Sequence, residues 1–395
     1  MDRIQLVNPD RIAWCCSDLS IATDELAKAV NIAATTIEKV MEGEPCLTFG
    51  QLNRIAEYFG RGVLFFLEKE PVDEAQVHTP QFRSIENQKP GLSPSIRSLI
   101  ERAQQQRRVY LSLREDLDDA VPKFTSPDVA GLQLNDAALK IRKWLKLGSE
   151  NTFDAYRAAA EAKGMLVFRS NGYSGKWQIP KQSPILGFSL FHDRCPLVVV
   201  KKQDASTRQT FTLMHELGHL LLHKQSFIDD EDDFYSQKGK EREANAFAGY
   251  LLVPDKLLQH ISDNEKPREA SQFDGWLSVY RKAWGVSTEV ILRRLLDSKR
   301  LRQADYSAYR EWQNNRPVKF GSSGSRAYRH REPKHIFGDA YVRTVLDALS
   351  GRHITLARAS RYLDSLKIKD LHKLEEFYAG NGCFFHCLCV GQLPT

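Results

Sequence analysis

Residues 208–223 contain a spacing of side chains that can bind a metal ion. His215, Glu216 and His219 form a His-Glu-x-x-His sequence inside an otherwise apolar, helix-compatible stretch. Because positions four apart share one face of a helix, both histidines can point at a single ion. Glu216 follows the first histidine, where its carboxylate can polarise a metal-bound water. The pattern predicts a zinc-dependent hydrolase, most simply a peptidase.

The five-residue pattern also occurs by chance, so an ordinary helix with two partly buried histidines and a surface glutamate is the alternative. Gly218 lies between the histidines and costs roughly 1 kcal/mol relative to alanine in a helix. We therefore expect a packing reason for it. An apolar stripe on the same helix predicts burial in a core; its members are Leu213, Leu217, Leu220 and Leu221.

A catalytic zinc site needs three protein ligands and one open position. Residues 229–233 are acidic and are expected to be flexible, and residues 241–254 then predict a second helix that ends near Pro254. Glu243 begins the expected core face of that helix and is the predicted third ligand, with Glu241 as the alternative. Asn245 is expected to orient a ligand histidine. The rest of the core face is Ala244, Phe247, Ala248, Leu251 and Leu252.

His223 is a less suitable third ligand. It lies eight residues beyond His215, about 12 Å along a helix axis, which is too far for one ion to bind both side chains. We expect it to end the helix or to line the cleft. His223, Tyr250 and Tyr235 are candidates for an oxyanion donor, with a structural role as the alternative for each.

Two segments together, residues 208–223 and 241–248, resemble the ImmA/IrrE family of metallopeptidases. Residues 185–189 and 197–200 are similar to the strands before the metal helix of that family, and residues 284–295 to its later helical part. The resemblance covers about residues 150–300. It implies a zincin-like fold with a small sheet, a gluzincin-like ligand set of His215, His219 and Glu243 for Zn²⁺, and Glu216 as general base. It also implies cleavage of a DNA-binding repressor.

The composition is that of a soluble globular protein. The 395 residues suggest two or three domains, with 42% hydrophobic and 27% charged side chains. Neither a signal sequence nor an apolar run of about 18 residues is evident, which predicts a cytoplasmic protein without a membrane span. The expected fold class is α+β and mostly helical. Seven cysteines without secretory context predict reduced thiols, although a C-terminal metal clip is an alternative for Cys383, His386, Cys387 and Cys389.

Residues 8–68 resemble a helix-turn-helix domain of the Xre/Cro type. Short helices are predicted over residues 23–30, 34–42 and 47–59, and the middle one would enter the major groove. Thr35, Thr36 and Lys39 are its candidate DNA contacts. Residues 1–70 hold seven Lys or Arg against eleven Asp or Glu, a net charge of −4 that opposes phosphate binding. A module for protein contacts is therefore the alternative.

The domains predicted from the sequence are the helix-turn-helix bundle at 1–70, a helical connector at 71–150, the metallopeptidase domain at 151–300 and a helical C-terminal region at 301–395. The connector has helices predicted at 95–113 and 136–145 and can mediate dimerisation. Residues 281–370 carry a net charge of +11, which can attract nucleic acid or acidic protein. Residues 321–325 form a flexible break, followed by helices predicted over 337–349 and 355–363.

Three hypotheses of function follow from the sequence. The first is a regulatory zinc endopeptidase that cleaves a partner protein, expected to be a transcriptional repressor. The second is a DNA-binding transcriptional regulator whose metal domain senses rather than cleaves. The third is a component of a toxin–antitoxin or phage-response module. The intact set of His215, Glu216, His219 and a following glutamate favours the first, because a structural zinc site needs no general base.

Overall fold

The computed structural model of this chain describes residues 3–18, 21–59, 61–72, 88–89, 92–148, 150–171, 175–203, 205–236, 238–316 and 326–382. Helices predominate in these ranges and four strands form one mixed sheet, which confirms the expected α+β class. The flexible break expected at 321–325 and the cysteine-rich end from Cys383 onward lie outside the described residues. No helix in the described ranges is long and apolar enough to cross a membrane.

The contacts within the chain define two compact units, Met1–Arg102 and Ala103–Thr395. The boundary falls inside a long helix, α5 (Pro94–Asp116). The second unit is larger than the metallopeptidase domain predicted at 151–300, because helices on both sides of that range pack with it. The finer division at residues 70, 150 and 300 stays a prediction.

The first unit is a small helical bundle. Its helices are α1 (Pro9–Asp18), α2 (Thr23–Val30), α3 (Ala34–Met41) and α4 (Phe49–Phe59), followed by a 3-10 turn at Val63–Phe66. The start of α4 lies two residues later than predicted. Thr48 and Gln51 exchange hydrogen bonds between their side chains and backbone amides, as a capping box does, so Thr48 ends the preceding loop.

The second unit is built on the sheet. Along the chain it has α6 (Leu134–Trp144), α7 (Phe153–Glu161), β1 (Leu166–Arg169), β2 (Ile185–Leu190), β3 (Leu197–Val200), α8 (Ser206–Gly218), β4 (Phe227–Asp230) and α9 (Gly239–Leu252). The strand order is β1-β3-β2-β4. β1 runs parallel to β3, and the two other pairs are antiparallel. β4 is therefore an edge strand.

Further helices complete the second unit. They are α10 (Asp255–Leu258), α11 (Phe273–Trp276), α12 (Ser278–Trp284), α13 (Thr288–Asp297), α14 (Gln303–Asn314), α15 (Glu332–Ser350), α16 (Leu356–Tyr362) and α17 (Ile368–Gly382). α15 begins five residues before the predicted start and is kinked at Gly338, which has φ 79°. A Cβ at Gly338 would overlap the Glu161 carboxylate, so only glycine fits there.

Both faces of the sheet are covered by helices, which explains why β1, β2 and β3 are largely apolar. On β1, Val167 joins the core that contains the α8 leucines. The next residue, Phe168, packs edge-to-face against Phe337 and Tyr341 of α15, with ring centroids 5.4 Å and 5.8 Å away. Successive side chains of one strand thus reach opposite cores. The α8 face of the sheet is the one that carries the candidate metal centre.

Candidate metal centre

The helix α8 and the turn after it hold the two histidines together. His215 lies in the last turn of α8, and His219 begins a π-helical turn, His219–His223. Their Nε2 atoms lie 3.0 Å apart and both side chains are buried. A Cβ on Gly218 would lie 3.2 Å from Ala244 Cα, so the expected packing reason for this glycine is confirmed. The predicted leucine stripe is buried as well.

Two carboxylates complete a four-residue group that can hold a metal ion. Oε2 of Glu241, from the first turn of α9, lies 3.3 Å from Nε2 of His215 and 3.3 Å from Nε2 of His219. Oδ2 of Asp229, from β4, lies 3.5 Å from each of the same nitrogens. The four ligand atoms all lie within 4.8 Å of one another.

The structure does not bring Glu243 into this group, which corrects the third ligand expected from the sequence. Residues 241 and 243 are separated by about 200° around the helix axis, so they point to opposite sides of α9. Glu243 is exposed, and its Oε2 contacts His223 Nε2 at 3.1 Å. The predicted core face of α9 is buried from Ala244 onward, and Glu241, not Glu243, continues that face.

Each histidine has a partner at its second ring nitrogen. Nδ1 of His215 lies 3.0 Å from Oδ1 of Asn245, whose Nδ2 donates to the carbonyl of Asp233. Nδ1 of His219 lies 3.0 Å from Nδ1 of His223. If both Nδ1–H groups donate in these contacts, Nε2 of each histidine is free to bind a metal ion. Asn245 thus lies where a residue that orients a ligand is expected.

Glu216 is fully buried, unlike the surface glutamate of the ordinary-helix alternative. It can occupy this position because Gly187 of β2 has no side chain. A Cβ at Gly187 would lie 2.7 Å from Oε1 of Glu216 and 2.9 Å from Cγ2 of Thr212. The glycine in the Ile-Leu-Gly-Phe-Ser strand therefore creates the space for the expected base.

The segment that supplies Asp229 was expected to be flexible, and this expectation is wrong for its first residues. Residues 227–230 form β4, in which Asp229 pairs with Gly187 of β2. Phe227, two residues earlier and so on the same face, stacks on the His219 ring with centroids 3.9 Å apart. The short Phe-Ile before the acidic run was the available signal for this strand.

The electrostatics of the group suit a cation. Burial alone would lower the pKa of His215, but the carboxylates of Asp229 and Glu241 raise it to about 9. Burial opposes ionisation of Asp229 as well, yet the two histidines hold its pKa well below the ordinary range. For Glu216, burial and the charge of Asp229 raise the pKa well above its usual value. The site therefore stabilises positive charge between carboxylates.

The residues present fit a divalent metal ion. Five buried carboxylate oxygens of the site have no hydrogen-bond partner; they are both oxygens of Glu216, both of Asp229 and Oε2 of Glu241. Buried charges are normally paired or coordinate metals. Imidazole nitrogens together with carboxylate oxygens form a donor set that zinc accepts.

Two of the candidate oxyanion donors lie against arginines. The Tyr250 ring is covered by Arg294, whose Cζ lies 3.7 Å from the ring centroid, and Tyr250 is nine residues along α9 from Glu241. Tyr235 is covered by Arg310, with Cζ 3.4 Å from its centroid. His223 contacts His219 and Glu243. His223 therefore contacts the Nδ1 side of the His219 ring, away from its Nε2 atom.

The candidate DNA contacts lie in the first unit, on α3. Thr35 and Lys39 are exposed and Thr36 is half-buried. Lys39 Nζ lies 3.8 Å from the Glu44 carboxylate, an exposed pair. Lys39, the only basic residue of the three, is therefore paired with an acidic side chain.

Comparison with known proteins finds a family that is similar to part of this chain. Residues 160–296 match the model of the Peptidase_M78 family, described as the IrrE N-terminal-like domain. All four residues of the metal group, and Glu216, fall inside the matched range. No curated protein matches the chain. The resemblance of the first unit to Xre-type domains stays a prediction. Over residues 160–296 the chain is similar to a metallopeptidase family, which supports a metallopeptidase-like function for that part.

Proposed function

We propose that this protein is a zinc-dependent endopeptidase, with His215, His219 and Glu241 as metal ligands and Glu216 as general base. The observation that carries the proposal is that Nε2 of His215, Nε2 of His219 and Oε2 of Glu241 lie 3.0–3.3 Å from one another. Glu216, which follows His215 on α8, is fully buried. A bound zinc ion supplies Lewis acidity and lowers the pKa of water to about 7.

Side chains of the protein transfer the proton and orient the two histidines. Glu216 accepts the proton of the attacking water at its carboxylate and later returns it to the leaving amine. Burial, and then the charge of Asp229, raise the pKa of Glu216, which favours a carboxylate that can hold the transferred proton. Asn245 and His223 hold the two histidine rings in the orientation that directs Nε2 toward the metal.

A cleft one helical turn before Glu216 supports a peptide substrate. Its apolar lining includes Leu186, Phe211 and Phe234, and charged side chains Arg208, Glu231 and Arg293 lie at the same cleft. Thr212, four residues before Glu216 on α8, also lines it. A cleft of this kind can take an apolar side chain of an extended peptide next to the base.

The proposed substrate is a partner protein, and a transcriptional repressor is the specific expectation. The first unit would then recognise that partner or its DNA, making the peptidase regulatory.

A second function, DNA binding by α3 in a transcriptional regulator or a toxin–antitoxin or phage-response module, is favoured by one observation. α2 and α3 are joined by a short turn in which Asn31 adopts a left-handed conformation with φ 51°, and the outer face of α3 is exposed. Fluorescence anisotropy with labelled duplex DNA tests it. Binding that is weakened by Thr35→Ala, with Thr23→Ala as control, would support this role.

Cleavage with and without the base tests the main proposal. Zinc-loaded wild type and Glu216→Gln are incubated with a proteome-derived peptide library, and new termini are read by mass spectrometry. We expect Glu216→Gln to keep its zinc and to lose cleavage, while His219→Ala loses both. Cleavage by Glu216→Gln that is measurable and equal to that of wild type would contradict the proposed mechanism.

A further inference from the structure

Asp229 is a buried carboxylate that the proposed mechanism does not use. It is 1% exposed, and neither of its oxygens has a hydrogen-bond partner. Burying an ionised carboxylate costs free energy unless it is paired with an opposite charge or coordinates a metal. Its closest partners of opposite polarity are the Nε2 atoms of His215 and His219, each 3.5 Å from Oδ2.

Five of the six distances between the four ligand atoms are close to those of a tetrahedral coordination shell, and the sixth, between Asp229 and Glu241, is at most 4.8 Å. The distances between them that involve a histidine are 3.0, 3.3, 3.3, 3.5 and 3.5 Å. Two bonds of 2.0–2.1 Å that meet at a tetrahedral angle place their outer atoms about 3.3 Å apart. Oδ2 of Asp229 therefore fits a fourth corner as well as Oε2 of Glu241 fits the third.

A fourth protein ligand changes what the site can do. Catalytic zinc sites have three protein ligands and keep the fourth position for water, whereas sites with four protein ligands are structural. The side chains of His215, Glu216 and His219 have no exposed surface in this conformation. A peptide carbonyl cannot approach the base while the surrounding residues stay in place.

Asp229 enters the site on the side of the base. It pairs with Gly187 across β2 and β4, and directly paired residues project from the same face of a sheet. That face of Gly187 meets Oε1 of Glu216, because a Cβ there would lie 2.7 Å from it. The Asp229 carboxylate thus lies between the histidines and Glu216, where a water bound to both the metal and the base would have to be.

We propose that Asp229 is a fourth protein ligand of the metal and closes the coordination position that an external ligand or water would otherwise take. This inference rests on the proposed function, since it requires the same metal site. A water can then enter only after the Asp229 carboxylate leaves.

The position of Asp229 in the fold allows such a departure. β4 has four residues and, in the described sheet, pairs with β2 alone. Its displacement leaves the pairing of β1, β3 and β2 intact. Phe227 would move with it, since the same strand carries the ring that stacks on His219.

Cobalt(II) substitution tests this directly, with azide as the probe of an open position. Wild type, Asp229→Ala and Asp229→Asn are loaded with one cobalt per chain, and their visible spectra are recorded during an azide titration. We expect no azide-dependent shift for wild type and a saturable shift for Asp229→Ala. Asp229→Asn keeps the side-chain volume, guards against misfolding, and should respond in the same direction because an amide is a weaker ligand than a carboxylate.

Three results would overturn the inference, and they can be told apart. A wild-type spectrum that shifts with azide as readily as that of Asp229→Ala would show that the site is already open, with the metal site itself intact. Cobalt-loaded Asp229 variants that ignore azide would show that another group closes it. Failure of wild type to bind cobalt would instead contradict the metal site, and with it both proposals.

Discussion

Nδ1 of His215 lies 3.0 Å from Oδ1 of Asn245, and Asn245 follows Glu241 by four residues on α9. Because positions four apart share one face of a helix, a single turn of α9 presents both a candidate ligand and the group that orients another ligand. Glu243 points away from that face and contacts His223, which in turn contacts His219. Both glutamates thus lie at the candidate site, Glu241 beside the two histidine Nε2 atoms and Glu243 against His223.

Removal of the Asn245 amide should weaken metal binding without abolishing it. We expect Asn245→Ala to lower zinc affinity about 10–100-fold, the range typical of residues that hydrogen-bond to a metal ligand. Competition with a chromophoric chelator measures this change. Asn245→Asp keeps an acceptor for His215 Nδ1–H and should stay closer to wild type. An affinity for Asn245→Ala equal to that of wild type would show that this hydrogen bond does not orient His215.

A methyl group at position 187 should disturb the base. Gly187→Ala places Cβ 2.7 Å from Glu216 Oε1 and 3.0 Å from the Val199 carbonyl oxygen, so the buried neighbours must move. We expect a loss of about 1–3 kcal/mol in the free energy of unfolding, measured by urea denaturation. Gly275→Ala in α11 is the matched control, because a Cβ there meets nothing within 4 Å. Similar stabilities of the two variants would contradict the close packing at Gly187.

Much of the second unit could be predicted because its elements follow strong patterns. β3 (Leu197–Val200) is found where the apolar run indicated, and His215 lies in α8 with His219 at the start of the π-helical turn that follows it. Their signal is local: a run of Leu and Val for the strand, and histidines four apart for the site. The resemblance over residues 150–300 is confirmed in the matched range 160–296.

Of the remaining members of the metal group, Glu241 was only the alternative to Glu243 and Asp229 was not predicted, because both depend on helix phase or strand register. Glu241 lies in the first turn of α9 and Glu243 follows two residues later, and only the packing of Ala244 and Phe247 on α8 decides which of them faces the histidines. Asp229 lies in an acidic run that resembles a solvated loop. Its burial follows from pairing with Gly187, a contact between residues 42 positions apart in the sequence.

The stability of the second unit should fall in acid because of His335. Burial, and then the positive charge of Arg169, lower the pKa of His335 to about 3. Nδ1 of this ring lies 2.6 Å from Nη2 of Arg169, so the neutral ring accepts the hydrogen bond. Between the unfolded value of about 6.5 and pH 3, the unfolded chain binds a proton that the folded chain does not. The free energy of unfolding attributable to this group therefore decreases as pH falls.

The variant His335→Gln isolates this contribution, because glutamine keeps an acceptor for Arg169 but does not titrate. We expect the free energy of unfolding of wild type to fall relative to the variant between pH 6.5 and 4.5, by on the order of 1 kcal/mol per pH unit. Urea denaturation at several pH values gives the difference. Parallel pH profiles for the two proteins would mean that His335 is protonated as easily in the folded state as in the unfolded one.

The identity of the third metal ligand is the central claim, and the matched variants Glu241→Gln and Glu243→Gln test it most directly. Zinc affinity is measured for both variants and wild type by chelator competition. We predict that Glu241→Gln loses more affinity than the 10–100-fold change typical of an outer group, because a ligand carboxylate is removed. Glu243→Gln keeps an acceptor for His223 Nε2–H and should stay near wild type. The reverse order, with Glu243→Gln losing the metal and Glu241→Gln keeping it, would contradict the metal centre described.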